Sequence, residues 1–140
     1  MSLQRTLALI KPDAVAANNY GKIIERITQS SLTVIAITRK HLTMAEAEAF
    51  YSEHSERPFF GELTSFISSG PLFALVLEGE EAISTWRTLM GATNFKEANT
   101  GTIRADFATS MNNNAAHGSD SLESAQREIG YFFTQFELLV

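Results

Sequence analysis

Apolar positions along the chain recur with two periods, one suited to strands and one to helices. Thr6 to Ile10 is a nearly continuous apolar run stopped by Lys11-Pro12-Asp13, which predicts a buried strand. From Gly21 to Ser31, Ile23, Ile24 and Ile27 fall at helical spacing with Lys22, Glu25 and Arg26 between them. Thr33 to His41 alternates and is rich in β-branched residues, the mark of a strand. Thr43-Met44-Ala45-Glu46 reads as a capping box, so a helix is expected to follow to about Glu53. Phe59 to Ser68 predicts a further helix, with Phe59, Leu63, Phe66 and Ile67 on one stripe and Gly70-Pro71 ending it. Leu72 to Leu77 reads as a central strand, and Glu80 to Met90 as a helix with Ile83, Trp86, Leu89 and Met90 inward. Asp120 and Ser121 open a last helix through Tyr131, with Leu122, Ala125 and Ile129 inward and Phe132 at the edge of that stripe.

Strands alternating with helices predict an α/β sandwich: a sheet of three or four strands with helices on one face. No repeat, low-complexity tract or linker interrupts the pattern, so one domain is expected over residues 1–140. Between Gly91 and Gly118 the periodicity fades. A polar stretch of that length within a compact domain is usually functional.

Composition narrows the picture. Hydrophobic residues make up 44% of the 140, enough for a core without disulfides or a structural metal. The absence of cysteine excludes thiol catalysis and thiolate metal sites. Met1 to Lys11 lacks the apolar stretch of a signal peptide, and the longest apolar run, Pro71 to Leu77, is too short to cross a bilayer. A cytoplasmic protein with no membrane partner is expected. The net charge of −5 argues against general nucleic-acid binding, which needs a basic face. A small anionic substrate remains open to it, because a few converging basic groups can dominate one cleft.

The polar stretch ends on Asn114-Ala115-Ala116-His117-Gly118-Ser119-Asp120. Gly118 allows another group to approach the backbone closely. Ser119 and Asp120 are placed to cap the helix that follows. Glu128 on that helix is spaced to fold back toward the His117 imidazole, where a carboxylate fixes the tautomer and raises nucleophilicity. The plainer alternative is a partly buried histidine in a turn. Lys11 follows a strand, Arg87 sits in a helix and Arg104 lies in the polar stretch, with Tyr51 and Thr93 adding hydroxyls. Such groups suit a phosphoryl clamp; solvated surface charges are the alternative, above all for Arg87. Arg57-Pro58-Phe59-Phe60 offers two aromatics, one of which can stack on a base while the other joins the core; both in the core is the alternative. No GxxxxGK[ST] loop and no GxGxxG occur. His41, His54 and His117 are too scattered to argue a zinc site.

The segment 114–120 resembles the active-site signature of the nucleoside diphosphate kinases. The likeness extends along nearly the whole chain. Thr6 to Val15 resembles that family's first strand and Lys-Pro-Asp turn. His54 to Phe60 with Ser69-Gly70-Pro71 resembles its central region, and Gly91-Ala92-Thr93-Asn94 with Gly101 to Phe107 its phosphate-binding segment. The resemblance implies an α+β ferredoxin-like sandwich, an antiparallel four-stranded sheet with helices packed on it. It also implies ping-pong transfer of a γ-phosphate from a nucleoside triphosphate to a nucleoside diphosphate. Mg²⁺ would be bound mainly through the nucleotide phosphates rather than by protein ligands. Carried over by position, His117 is the nucleophile, supported by Glu128 and Ser119. Lys11, Tyr51, Arg87, Thr93 and Arg104 match phosphate-side contacts, with His54 close by. Asn114 and Lys11 match sugar contacts. Phe59 matches the base-stacking ring, with Leu63 and Met111 around it. A homo-oligomer built from dimers, a tetramer or hexamer, is implied as well.

The chain departs from the family where Phe95 and Thr100 stand in place of the usual prolines, which is expected to loosen the loop over the phosphates. An apolar end, Leu138-Leu139-Val140, is better suited to a protein surface than to water. The rival reading is a catalytically silent homologue acting as a nucleotide-binding or regulatory module. The joint presence of Lys11, Tyr51, Arg87, Thr93, Arg104, Asn114, His117, Ser119 and Glu128 argues against it. A plain ligand- or RNA-binding sandwich is disfavoured by the acidic charge.

Overall fold

Antiparallel pairing organises the chain. The computed structural model describes residues 2–140; Met1, the first residue of the expected domain, lies outside the described residues. Four strands form one sheet in the order β2-β3-β1-β4: β1 (Leu3–Ile10), β2 (Thr33–Lys40), β3 (Leu72–Glu80) and β4 (Ala116–Gly118). Every neighbouring pair is antiparallel. This is the four-stranded ferredoxin-like arrangement that the resemblance implies.

Among the described residues seven α-helices surround the sheet: α1 (Pro12–Ala16), α2 (Tyr20–Gln29), α3 (Met44–Phe50), α4 (Phe60–Ile67), α5 (Ala82–Met90), α6 (Ile103–Phe107) and α7 (Leu122–Phe132). They cover both of its faces, not the one face expected from the sequence. Ala8 and Ile10 of β1 pack with Ile23 and Ile27 of α2 and Trp86 of α5. Leu7 and Leu9 point the other way, to Phe50 of α3, Ile67 of α4 and Ala125 of α7. A strand buried on both faces reads as a continuous apolar run rather than an alternating one. That is the physical reason for the unbroken Thr6–Ile10 pattern. Burying Ile23 and Ile27 contributes about 1.5–3 kcal/mol each and fixes which side of α2 faces the sheet.

The capping box is present in full. Glu46 N–H donates to the Thr43 hydroxyl at 3.1 Å, and Thr43 N–H donates to the Glu46 carboxylate at 2.8 Å. The helix it opens stops at Phe50, short of Glu53, and Ser52–His54 continues as a 3-10 turn. The last helix is capped by Ser121, whose hydroxyl accepts from Ser124 N–H at 3.1 Å, and not by Ser119 or Asp120. Leu122 is 55% exposed rather than inward, because the first turn of α7 overhangs the core that Ala125 and Ile129 reach. Phe133, just past the helix, is buried instead. Three short elements were not expected: α1, α6 and β4.

Candidate active site

Backbone pairing puts His117 at the middle of β4, opposite Leu9. It is therefore a strand residue rather than a turn histidine at the foot of a helix. Its side chain is 19% exposed. The Nε2 atom lies 2.9 Å from Glu128 Oε1. The Ser119 hydroxyl donates to that same carboxylate oxygen at 2.9 Å, and accepts from Leu7 N–H at 3.3 Å. Ser119 thus orients Glu128 and ties it to β1 instead of capping a helix. Burial alone would lift the Glu128 carboxyl. The bonds from His117 and Ser119, with the charges of His117 and Arg127, outweigh it and hold the group below its ordinary value. A carboxylate accepting at Nε2 places the ring proton there and leaves Nδ1 with its lone pair.

Cations gather around the strand's backbone. Lys11, directly after β1, is 6% exposed and donates through Nζ to Asn114 Oδ1 at 2.8 Å. Burial, reinforced by the charge of Arg104 and opposed by Asp13, brings its ammonium down to about 8. Arg104 of α6 is also buried and donates to Gly91 O at 3.1 Å and Ala116 O at 2.9 Å. Burial and the neighbouring Arg87 lower it, while its Nε is buried with no partner. Arg87 of α5 is half exposed and pairs with Asp120 at 2.8 Å. It therefore belongs to a cluster and is not an isolated solvated charge. A cavity of about 470 Å³ runs past Arg87, Thr93 and Arg104.

The aromatic expectations divide. Tyr51 is buried, with its ring 6.3 Å from that of His117 and edge-on to it. Burial, then the charge of Glu128, raises its hydroxyl, so Tyr51 stays a neutral donor at neutral pH. His54 lies 6.3 Å from Tyr51 and 6.0 Å from Phe59, ring to ring. Phe59 is 46% exposed, ruling out both aromatics in the core; Phe60 alone packs inward. Asn112 donates to Glu62, which brings the segment of exposed Met111 beside that of Phe59 and Leu63.

Several supporting residues carried no role in the sequence reading. Asp13 accepts from Ala115 N–H at 3.1 Å, where Ala115 holds a left-handed φ of 74°. Burial raises the Asp13 carboxyl against that bond. Arg127 donates to Glu53 at 3.0 Å and to Phe50 O at 3.0 Å, joining α7 to the end of α3. Arg26 donates to the carbonyls of Gly101 and Thr102 at 3.1 and 3.3 Å and pairs with Asp106. With the Asn94 cap of the turn at Phe95–Glu97, Arg26 holds the loop that carries Phe95 and Thr100. The position of Asp13 inside the Lys-Pro-Asp turn was a signal for its part.

A histidine held by a carboxylate partner, beside buried cations and an exposed aromatic, is an arrangement suited to a phosphotransferase. The sequence profile of the nucleoside diphosphate kinase family matches residues 4–138. A nucleoside diphosphate kinase of Desulfosudis oleivorans is 52% identical over 137 residues, covering 98% of this chain and 99% of the relative. The crystal structure of the Aquifex aeolicus enzyme superimposes with a TM-score of 0.96 at 44% identity, over 99% of this chain and 100% of that one. The structure of a nucleoside diphosphate kinase from Halobacterium salinarum in complex with CDP gives a TM-score of 0.93 at 38% identity, over 99% of this chain and 93% of that one. The chain belongs to the nucleoside diphosphate kinase family, and its activity is phosphoryl transfer from a nucleoside triphosphate to a nucleoside diphosphate. As a phosphotransferase of this family it works with a divalent cation. Among the described residues no helix is long and apolar enough to cross a membrane.

Proposed function

We propose that the transfer runs in two half-reactions through a phosphohistidine on His117. In the first, the His117 Nδ1 lone pair attacks the γ-phosphorus, the bond to the bridging oxygen breaks, and the nucleoside diphosphate leaves with that oxygen. The ring proton stays on Nε2, held by Glu128, so the ring becomes cationic as the N–P bond forms. In the second, a terminal oxygen of the incoming diphosphate attacks the phosphorus and the N–P bond breaks. The observation that carries this reading is the 2.9 Å contact from His117 Nε2 to Glu128, with Ser119 on the same oxygen. It fixes one nitrogen and leaves the other as the nucleophile.

Lys11, Arg87, Arg104, Thr93 and the Tyr51 hydroxyl would hold the phosphates, with His54 beside them. Neutralising charge there is most of the catalytic task. Asn114, with Lys11, would take the sugar. Phe59 would stack on the base within the apolar rim of Leu63 and Met111, a mode that accepts every base. The CDP found in the Halobacterium salinarum relative supports a nucleotide in this cleft. The divalent cation would be Mg²⁺, carried on the nucleotide, where it would offset phosphate charge. No cluster of three or more acidic or histidine ligands occurs among the described residues. We further propose one catalytic domain over residues 1–140, working in the cytoplasm as a homo-oligomer built from dimers, a tetramer or hexamer.

The test is a two-step label transfer. The protein is incubated with Mg²⁺ and γ-labelled ATP, freed of nucleotide, and then given GDP. Acid-labile label on His117 that moves to GTP is the expected result, and His117→Ala should abolish it while still binding nucleotide. An unlabelled protein that still binds nucleotide would return the chain to the silent-module reading.

A further inference from the structure

β4 is an edge strand, bonded to β1 on one side only. His117 falls in a hydrogen-bonded pair with Leu9, in phase with Lys11 N–H to Ala115 O and Ser119 N–H to Leu7 O, so its carbonyl faces β1. From the face that α5 covers, the same carbonyl also accepts the indole N–H of Trp86 at 3.1 Å. Trp86 sits on α5 and is 0% exposed. The approach is built from both partners. A Cβ at position 118 would lie 2.6 Å from Trp86 Cδ1, 2.8 Å from its Nε1 and 2.7 Å from Met90 Cε. Gly118 does not have a positive φ, so what demands glycine here is the closeness of the indole and not the backbone.

We propose that Trp86 is a positioning residue for phosphoryl transfer, acting through the backbone of His117. This deepens the reading of His117 as nucleophile and rests on it. The imidazole is tethered at two places. Glu128 holds Nε2, and the strand holds Cα. With both fixed, the freedom left to Nδ1 is movement of the strand itself. β1 limits that movement within the sheet, and the Trp86 N–H limits it on the face that α5 covers. Removing the donor leaves the carbonyl with its β1 partner alone and frees the strand to move toward or away from α5, which carries Nδ1 off the line of attack. Attack needs the reacting atoms about 3–3.5 Å apart and aligned, so a displacement well under the size of an atom is felt in the rate. The nucleotide contacts come from Lys11, Arg87, Arg104 and Phe59 and do not pass through this carbonyl. Binding is therefore preserved while transfer slows.

The chain contains one tryptophan, so a tryptophan-auxotrophic host fed benzothienylalanine replaces Trp86 alone. Sulfur then stands where the N–H was, and the ring keeps its shape. Phosphoenzyme formation is timed with γ-labelled ATP at saturating Mg²⁺-ATP, and ADP binding is measured by calorimetry. The expected result is a rate at saturation lowered by about tenfold or more. The Kd for ADP and the final labelled fraction stay unchanged. Trp86→Phe, which also lacks the donor, should move the rate in the same direction. An unchanged rate in the analogue protein would overturn the proposal. So would a loss of ADP affinity matching the loss of rate, since that would mean general distortion of the cleft. If the natural protein takes no label on His117, the reading of the site fails first, whatever Trp86 does.

Discussion

Replacing Lys11 with methionine separates the cost of a buried cation from its use. Lys11 is nearly as buried as the core, and its ammonium is brought from 10.5 to about 8. At about 1.4 kcal/mol per pH unit, that gap puts a penalty of about 3 kcal/mol on the charged form in the folded state. The folded chain thus releases this proton near pH 8, while the unfolded chain keeps it to near 10.5. Between those values the unfolded state binds more protons, so stability rises with pH. Integrated from about pH 7.5 to about pH 10, the gain is about 2 kcal/mol. Lys11→Met has no such proton to release. The difference in unfolding free energy, natural chain minus variant, should therefore climb by about 2 kcal/mol over that range. Taking the difference cancels the other titrating groups. Part of the relief in the variant is offset by Asn114, whose buried Oδ1 loses its donor, at about 1–3 kcal/mol. The assay is urea unfolding at fixed protein concentration, followed by circular dichroism at several pH values. A flat difference, or one that falls with pH, would refute the reasoning. If Lys11 holds a phosphate as proposed, the same titration removes its charge, and nucleotide affinity of the natural enzyme should weaken as pH passes about 8.

Phe59→Ala should weaken ADP binding by about 1–3 kcal/mol in calorimetry if the ring stacks on a base. Its folding stability should change by no more than about 1 kcal/mol, because the ring is already 46% exposed; unaltered affinity would remove Phe59 from the site. Glu128→Gln keeps an acceptor but loses the charge that steadies the donating ring. Phosphoenzyme formation should slow by about 1.5 kcal/mol, roughly tenfold, in a single-turnover assay; a rate equal to that of the natural chain would leave Glu128 without its part.

What the sequence made legible follows how local each cause is. The Thr43-Glu46 capping box lies within four residues and was readable in full. The apolar stripes gave α2, α5 and α7 because each repeats over two turns or more. α1 and α6, at five residues each, are too short to show a period, although Pro12 at the start of α1 and Thr102 as the cap of α6 were usable signals. β4 has only three residues and is a strand solely because β1 is there to pair with it. Two-sided burial of the sheet was concealed for a similar reason: an unbroken apolar strand does not say what lies on either side. At the site, Glu128 was placed by its spacing from His117, and the residue types around it by family likeness. The bonds of Ser119, Asp13 and Trp86 run between segments far apart in sequence, and no local pattern announces them.

The pairing of Leu9 with both Ala74 and His117 has a bearing on how the molecule is made. During synthesis, β1, β2 and β3 leave the ribosome long before β4 exists, and they can form a three-stranded sheet among themselves. One edge of β1 stays open until residues 116–118 arrive and close a loop of more than a hundred residues. Long closures are entropically slow compared with local ones. His117 reaches its place only at that closure, and α7 must then follow to deliver Glu128. A growing chain can pair β1, β2 and β3 and still lack the partners that hold Lys11 and Arg104, Asn114 and the Ala116 carbonyl, as well as His117 itself. The proposed site is thus completed only at the end of folding, when β4 has closed on β1 and α7 has brought Glu128 to it.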